Sequence, residues 1–248
     1  MASYRARDTR FKLLLLFISF SGILIYVDSI RKNVTKMPYT LKNWKERIAS
    51  RSDLTGHLIH LTRGANINSQ EVSSLDILIK ILLEQRLIGS STKSGFICGN
   101  RKAVCFQDTP IYQLTQNIYS EQEYRNQNPN AKLRYVGIGL MFTKTYIYNN
   151  GGRPVIYDKT EEAKTYLPPQ EWWRIVKLEL NDESNIIDWT HEREWRLPDD
   201  FNFKLEEVTV ILPNTNTYKN FILRCRAIEE VDILTTIKGI VSLNAVFF

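Results

Sequence analysis

The stretch Asp188-Trp189-Thr190-His191-Glu192-Arg193-Glu194-Trp195-Arg196 constrains the fold of this chain more than any other. Every residue in it except Thr190 is ionisable or a tryptophan. Trp189 and Trp195 favour burial, whereas a buried charge has to be paired. A fold that meets both demands must enclose polar groups beside aromatic ones, as the wall of a site does. As a strand, its period-two alternation places Thr190, Glu192, Glu194 and Arg196 on one face and Trp189, His191, Arg193 and Trp195 on the other. Neighbouring carboxylates raise each other's pKa unless a cation or ligand intervenes, and Arg196 is the cation in line. Ion-pair networks that merely tie strands together share this composition, so a site and a structural network are both open readings.

The 248 residues suit one large domain or two small ones. Hydrophobic content of 43% and charged content of 24% place the chain among globular proteins rather than disordered or fibrous ones. Its three cysteines, Cys98, Cys105 and Cys225, are odd in number and lack metal-ligand spacing. That argues against a disulfide framework and for a reducing, cytoplasmic compartment. His57 and His60 have no HExxH or CxxC companion, so no metal is expected.

The formal charge of +6 is concentrated at one end. Residues 1–36 hold seven basic and two acidic residues, which leaves +1 for the remaining 212. The body therefore makes no case from composition for a general nucleic-acid surface. Leu13 to Val27 is an apolar run of 15 residues with basic residues on both sides, shorter than the ~20 of a comfortable membrane span. Two readings stand: a membrane anchor through residues 11–27, or a misplaced start upstream of Met37. Cleaved secretion is disfavoured by the cysteines. We therefore expect a basic, hydrophobic extension over 1–36 and a single domain over 37–248.

Patterning predicts a helix over Leu41–Ile48, a strand over His57–Arg63, and a helix opening at Ser69-Gln70-Glu71 and running through Leu75, Leu78, Ile79, Leu82 and Leu83. Strands are expected at Ala103–Gln107, Arg134–Phe142 (continuing through Lys144–Tyr148), Pro154–Tyr157, from Ile175 to Leu180, Val208–Leu212 and Ile237–Phe248. Further helices are expected at Ile111–Glu123 and Tyr218–Ile228. Asn149-Asn150-Gly151-Gly152 is a turn signal, read as a hairpin. Strands outnumber helices without βαβ alternation, so the fold class is α+β, with mixed, largely antiparallel sheets and packed helices.

Four groupings carry candidate chemistry. His60 or Arg63 at the end of the first strand could hold an anion, arginine through its bidentate fork; both histidines could equally cap a core edge. Gln107 and Asp108, at the exit of the Cys105 strand, suit polar recognition. Arg153 follows two glycines that permit close backbone approach, in a segment without GxGxxG or Walker spacing. The fourth is the Glu-Arg-Glu core with its neighbours His191 and Arg196.

The order of these pieces resembles the ADP-ribosyltransferase superfamily. His60-x-x-Arg63 comes on an early strand, followed by a helix with Leu78 to Leu82. A strand then exits into Phe106-Gln107-Asp108-Thr109-Pro110, and a late strand bears Glu192-Arg193-Glu194. The chain is most similar in this order to the DNA-modifying DarT toxins and related bacterial phage-defence (abortive-infection) proteins, over about residues 55–215. The resemblance implies an ADP-ribosyltransferase-like fold with a cleft between two small sheets that binds NAD as substrate. His60 or Arg63 would then hold the NAD phosphates or ribose. Glu194 or Glu192 would be catalytic, and Tyr146 or Tyr157 would stack on nicotinamide. The acceptor would be nucleic acid or protein, and a cognate antitoxin or toxin a possible partner. The serine-rich second-strand motif of the arginine-and-glutamate subgroup is absent, since Ser90-Ser91-Thr92 reads as a loop. Two other classes remain open. One is a magnesium-dependent nuclease with Asp188, Glu192 and Glu194 as ligands and Lys177 or Lys144 as electrophile. The other is a non-catalytic binding or antitoxin-like protein.

Overall fold

A computed structural model of the chain describes residues 38–67, 69–94, 96–131 and 133–247. The chain divides into two compact units, residues 1–44 and 45–248. The expected extension over 1–36 lies outside the described residues. Of the first unit, the described part enters helix α1 (Leu41–Ala49), and the Thr40 hydroxyl accepts a hydrogen bond from the Asn43 amide there.

The second unit runs β1 (His57–Leu61), β2 (Ala65–Ile67), β3 (Gln70–Val72), α2 (Ser74–Glu84), β4 (Arg86–Leu87), β5 (Ala103–Gln107), α3 (Ile111–Gln127), β6 (Gly139–Thr143) and α4 (Lys144–Asn149). It continues with β7 (Arg153–Pro154), β8 (Ile156–Asp158), α5 (Thr160–Tyr166), β9 (Ile175–Lys177), β10 (Glu194–Pro198), β11 (Phe201–Asn202), β12 (Thr209–Leu212), α6 (Thr215–Arg226), α7 (Ile233–Thr236), β13 (Gly239–Ser242) and α8 (Asn244–Phe247). Seven strands form the main sheet in the order β13-β12-β6-β1-β5-β10-β7. Its pairings are antiparallel except β12 with β13. The fold is α+β with a mixed, largely antiparallel sheet and packed helices.

Register divides the sheet into two faces. Leu58, Phe142, Phe106, Leu197 and Val210 fall on one parity and join Leu78 and Leu82 of α2, Ile147 of α4 and Phe221 of α6 in the main core. The other parity carries Ile59 and Ile211, covered by Leu114 and Ile118 of α3. At the β5–β10 end that second face turns polar: Glu194 lies opposite Gln107 and Arg196 opposite Cys105. Beyond them Ile97 and Trp173 pack on Ala103. Helix α3 and this small cluster leave a gap between them, and the gap is the site.

Several elements differ from the sequence expectation for local reasons. The helix expected from Ser69 begins at Ser74, because Ser73 and Asp76 close a reciprocal capping box; Gln70–Val72 is instead strand β3, paired antiparallel with β2. The strand expected from Arg134 begins at Gly139 and stops at Thr143, whose hydroxyl caps α4 by accepting from the Tyr146 amide at 3.3 Å. The glycine turn therefore joins a helix to β7 rather than two strands of a hairpin. The closing strand is β13 alone, followed by the short α8.

Candidate functional site

β1 and β5 part company after one pair, Ile59 opposite Gln107. The His60 ring fills the mouth of the split, with Nδ1 2.9 Å from the Cys105 carbonyl oxygen. Because a carbonyl only accepts, Nδ1 carries the proton, and Nε2 is the acceptor nitrogen of a neutral ring. Burial lowers the His60 pKa and holds it in that state. On the other side β1 is pinned to β6: a Cβ on Gly139 would fall 2.2 Å from the His60 carbonyl oxygen, so only glycine permits the approach.

The split opens onto a cavity of about 360 Å³ on the second face, within the range of roughly 300–1,000 Å³ typical of small-molecule sites. Glu192, Glu194, Gln107 and Tyr135 line it. His60, Leu61, Arg63, Ile88 and Ser90 are shared with an adjoining groove of about 1000 Å³ that runs along α2 and the β2–β3 hairpin. A deep chamber thus continues into a wider trough, with His60 and Arg63 on the threshold.

The expected strand over 188–196 is interrupted. Asp188 accepts from the backbone amide and hydroxyl of Thr190 at 2.8 and 2.6 Å, which folds Thr190–Glu192 into a 3₁₀ turn. Arg193 then takes a left-handed backbone conformation, φ 45°. Its guanidinium secures that conformation, donating to the Asp53 carbonyl and to Gln113 Oε1, both at 2.7 Å. The Asp108 amide holds the turn from below by donating to the Glu192 carbonyl at 3.2 Å. With the turn in place, Glu192 and Glu194 both line the cavity.

The two carboxylates have different partners. Glu194 is buried and ion-paired to the equally buried Arg196, Nε to Oε1 at 2.8 Å and Nη2 to Oε2 at 3.3 Å. Arg196 Nη1 donates to the Trp173 and Ile175 carbonyls, both at 2.9 Å, and Nη2 also to the Phe96 carbonyl at 3.2 Å. All five N–H donors of the guanidinium are then engaged. Glu192 Oε1 instead accepts from the Tyr135 hydroxyl. Burial raises the Glu192 pKa to about 7 against the pull of that hydrogen bond, with the Glu194 charge adding to the rise. Gln107 lines the cavity and is 7% exposed; its amide oxygen is itself buried and has no hydrogen-bond partner among the described residues.

The structure brings Glu192, Glu194, Gln107, His60, Arg63 and Arg196 to one cavity. Arg196, expected to bind substrate, has its donors committed to the protein. Tyr157 stands behind β10, where its hydroxyl accepts from the Glu194 amide at 2.7 Å; burial raises its pKa to about 12. Besides Tyr157, four expected site residues lie off the cavity. Tyr146, expected to stack on nicotinamide, stacks on Phe142 on the opposite face because α4 replaces the expected strand continuation. Asp108 pairs with Lys144 at 2.9 Å. Arg153 stands over the Tyr148 ring, 4.1 Å from its centroid, and donates to the carbonyls of Tyr148 and Gly152. His191 is on the outside of the wall, 3.0 Å from the Tyr135 hydroxyl. The sequence reading missed Tyr135 and Arg134, which it assigned to a buried strand; Arg134, 5.0 Å over the Trp189 ring, forms the rim.

The magnesium arrangement is not assembled. Asp188 turns back onto Thr190, and Arg196 takes Glu194; among the described residues no three histidine, cysteine or acidic side chains converge on a metal position. Among the described residues no helix is long and apolar enough to cross a membrane. Cys105 lines the cavity, and burial raises its pKa so that it stays a thiol. The chain matches no family model, no curated protein and no solved structure.

Proposed function

We propose that the protein is an NAD-dependent ADP-ribosyltransferase whose catalytic acid is Glu192. The observation that carries this reading is the placement of Glu192: a carboxyl group with a pKa near 7, on a small cavity, with no guanidinium hydrogen-bonded to it. Cleavage of the bond between nicotinamide and ribose builds positive charge on the ribose carbon, and a carboxylate beside it stabilises that charge. A pKa near neutrality also suits the same group to take a proton from an incoming acceptor. The chamber would take the nicotinamide ribose. Gln107 would face the carboxamide with its side-chain amide, and His60 Nε2 would accept from a ribose hydroxyl. The trough beyond, entered past Arg63, would take the diphosphate.

By the resemblance in the order of its motifs, the acceptor would be nucleic acid or protein and the setting phage defence or a toxin system. Glu194 and Arg196 form the chamber floor in this reading and act by fixing β10 rather than by touching the reacting atoms. Incubation with NAD tests it: free nicotinamide should accumulate with the wild-type protein, and Glu192→Gln should reduce its release about 100-fold or more without unfolding the chain. Undiminished release from the folded variant overturns the assignment of Glu192, and no release from wild type in the presence of DNA, RNA and protein acceptors overturns the function.

A further inference from the structure

We propose that Tyr135 and His191 form a proton relay connecting the Glu192 carboxyl group inside the cavity to solvent outside it. The Tyr135 hydroxyl bridges the two, donating to Glu192 Oε1 and lying 3.0 Å from His191 Nε2. Tyr135 is a shared wall. It borders the cavity on one side and, on the other, a shallow hollow of about 220 Å³ bordered by His191 and Glu121. His191 itself is exposed. A hydroxyl needed only to satisfy a buried acid would end at that acid; this one continues to a titratable ring in water.

The charges around the relay suit its direction. Glu192 faces Glu194 and Arg196 from β10 and Arg134 from the segment before β6. Tyr135 faces Glu121 of α3 as well as Glu192, and with burial they keep the phenol protonated. Around His191, burial and Arg134 lower its pKa and Asp188 opposes them, so the ring sheds a received proton to water rather than retaining it.

For the reaction, the relay rests on the transferase reading. The bond between the ribose carbon and nicotinamide breaks, and its electron pair goes to the ring nitrogen, which leaves neutral. The acceptor's oxygen or nitrogen bonds to that carbon and gives its proton to the Glu192 carboxylate. The proton then passes to the Tyr135 oxygen as Tyr135's own proton moves to His191 Nε2, in the tautomer carrying hydrogen on Nδ1, and from there to water. Glu192 is ionised again for the next turnover.

The test does not depend on NAD. After a jump from about pH 8.5 to about pH 6, across the range where Glu192 titrates, the carboxyl stretch absent from Glu192→Gln is followed by infrared absorption. His191→Gln keeps a polar side chain at an exposed position but cannot carry a proton. It should leave the midpoint unchanged and slow protonation about tenfold or more, with recovery on adding imidazole. Tyr135→Phe should slow it as well and raise the midpoint, since the lost hydrogen bond lowered it. Protonation of His191→Gln at the wild-type rate overturns the relay. A slowed rate in a protein that releases no nicotinamide sustains the relay and defeats the transferase reading alone.

Discussion

Glu192 and Glu194 stand two residues apart and line one cavity, yet their surroundings are opposite. Glu194 receives two bonds from Arg196, and that guanidinium spends its other donors on three backbone carbonyls from residues 96, 173 and 175. The pair ties two separate segments, at residue 96 and at residues 173–175, to β10, and nothing on the guanidinium is left for a ligand. Glu192 receives one hydroxyl and no hydrogen bond from a cation, in a place where burial favours its neutral form. A fully partnered buried acid is part of the scaffold. An acid kept underpartnered in a cavity works against stability at neutral pH, and such groups cluster where chemistry is done.

The largest effect should come from the scaffold side. Arg196→Met leaves Glu194 buried without its cation and should cost about 3–5 kcal/mol in urea unfolding. Replacing both partners, Glu194→Leu with Arg196→Met, should restore most of that loss, because the penalty lies in the unpaired charge. A double variant as unstable as the single one would break the contrast. On the other side, Glu192→Gln should stabilise the fold. The folded pKa, about 7, lies above the reference value of 4.5, so between these pH values the native state binds more protons than the unfolded chain. Stability from this group is therefore present below about pH 4.5 and lost as pH rises toward 7. Removing it should gain about 2–3 kcal/mol above pH 7 and nothing near pH 4. Unfolding free energies measured at both ends of the range check the sign, and a gain independent of pH would refute the shifted titration.

Much of this contrast is invisible in the sequence. The α+β class and the strands at 57–61, 103–107 and 209–212 follow from local patterning, and so does the clustering of Glu194 with Arg196, since alternation within β10 is real. Alternation fails at Arg193. Its left-handed backbone is held by Asp53 and Gln113, 140 and 80 residues away, and no local period records such anchors. Tyr135 looks like the start of a buried strand. It becomes a partner of Glu192 only because the chain before β6 is laid against the 190–192 turn, 57 residues distant in sequence. Tyr146 errs in the other direction: the hydroxyl of Thr143 starts a helix where apolar alternation suggested more strand, and the ring is delivered to the core.

Arg63 extends the comparison to cations. Unlike Arg196 it is exposed, with one bond from Nη1 to the Leu133 carbonyl at 3.3 Å. If the trough takes the NAD diphosphate as proposed, Arg63→Ala should leave the apo protein's stability almost unchanged and weaken NAD about tenfold, which removes about 1.4 kcal/mol of ligand-induced stabilisation. A thermal shift by NAD equal to that of wild type would take Arg63 out of the site.

Gln107 supplies the smallest effect on stability and the finest test of what the cavity is for. Its amide oxygen is buried without a partner among the described residues, a state that costs the fold something in the absence of ligand. Gln107→Leu keeps most of the volume and removes the open acceptor, so the folded protein should hold its stability or gain up to about 1 kcal/mol. If the amide oxygen is there to receive a donor from nicotinamide, the same change should raise the KM for NAD more than it lowers kcat, because a contact of this kind is made in the ground state as well as the transition state. A variant that is stabilised and binds NAD as well as wild type would mean that the carboxamide is read elsewhere. The contrast between Glu192 and Glu194 would stand, and the orientation proposed for nicotinamide would have to be reversed.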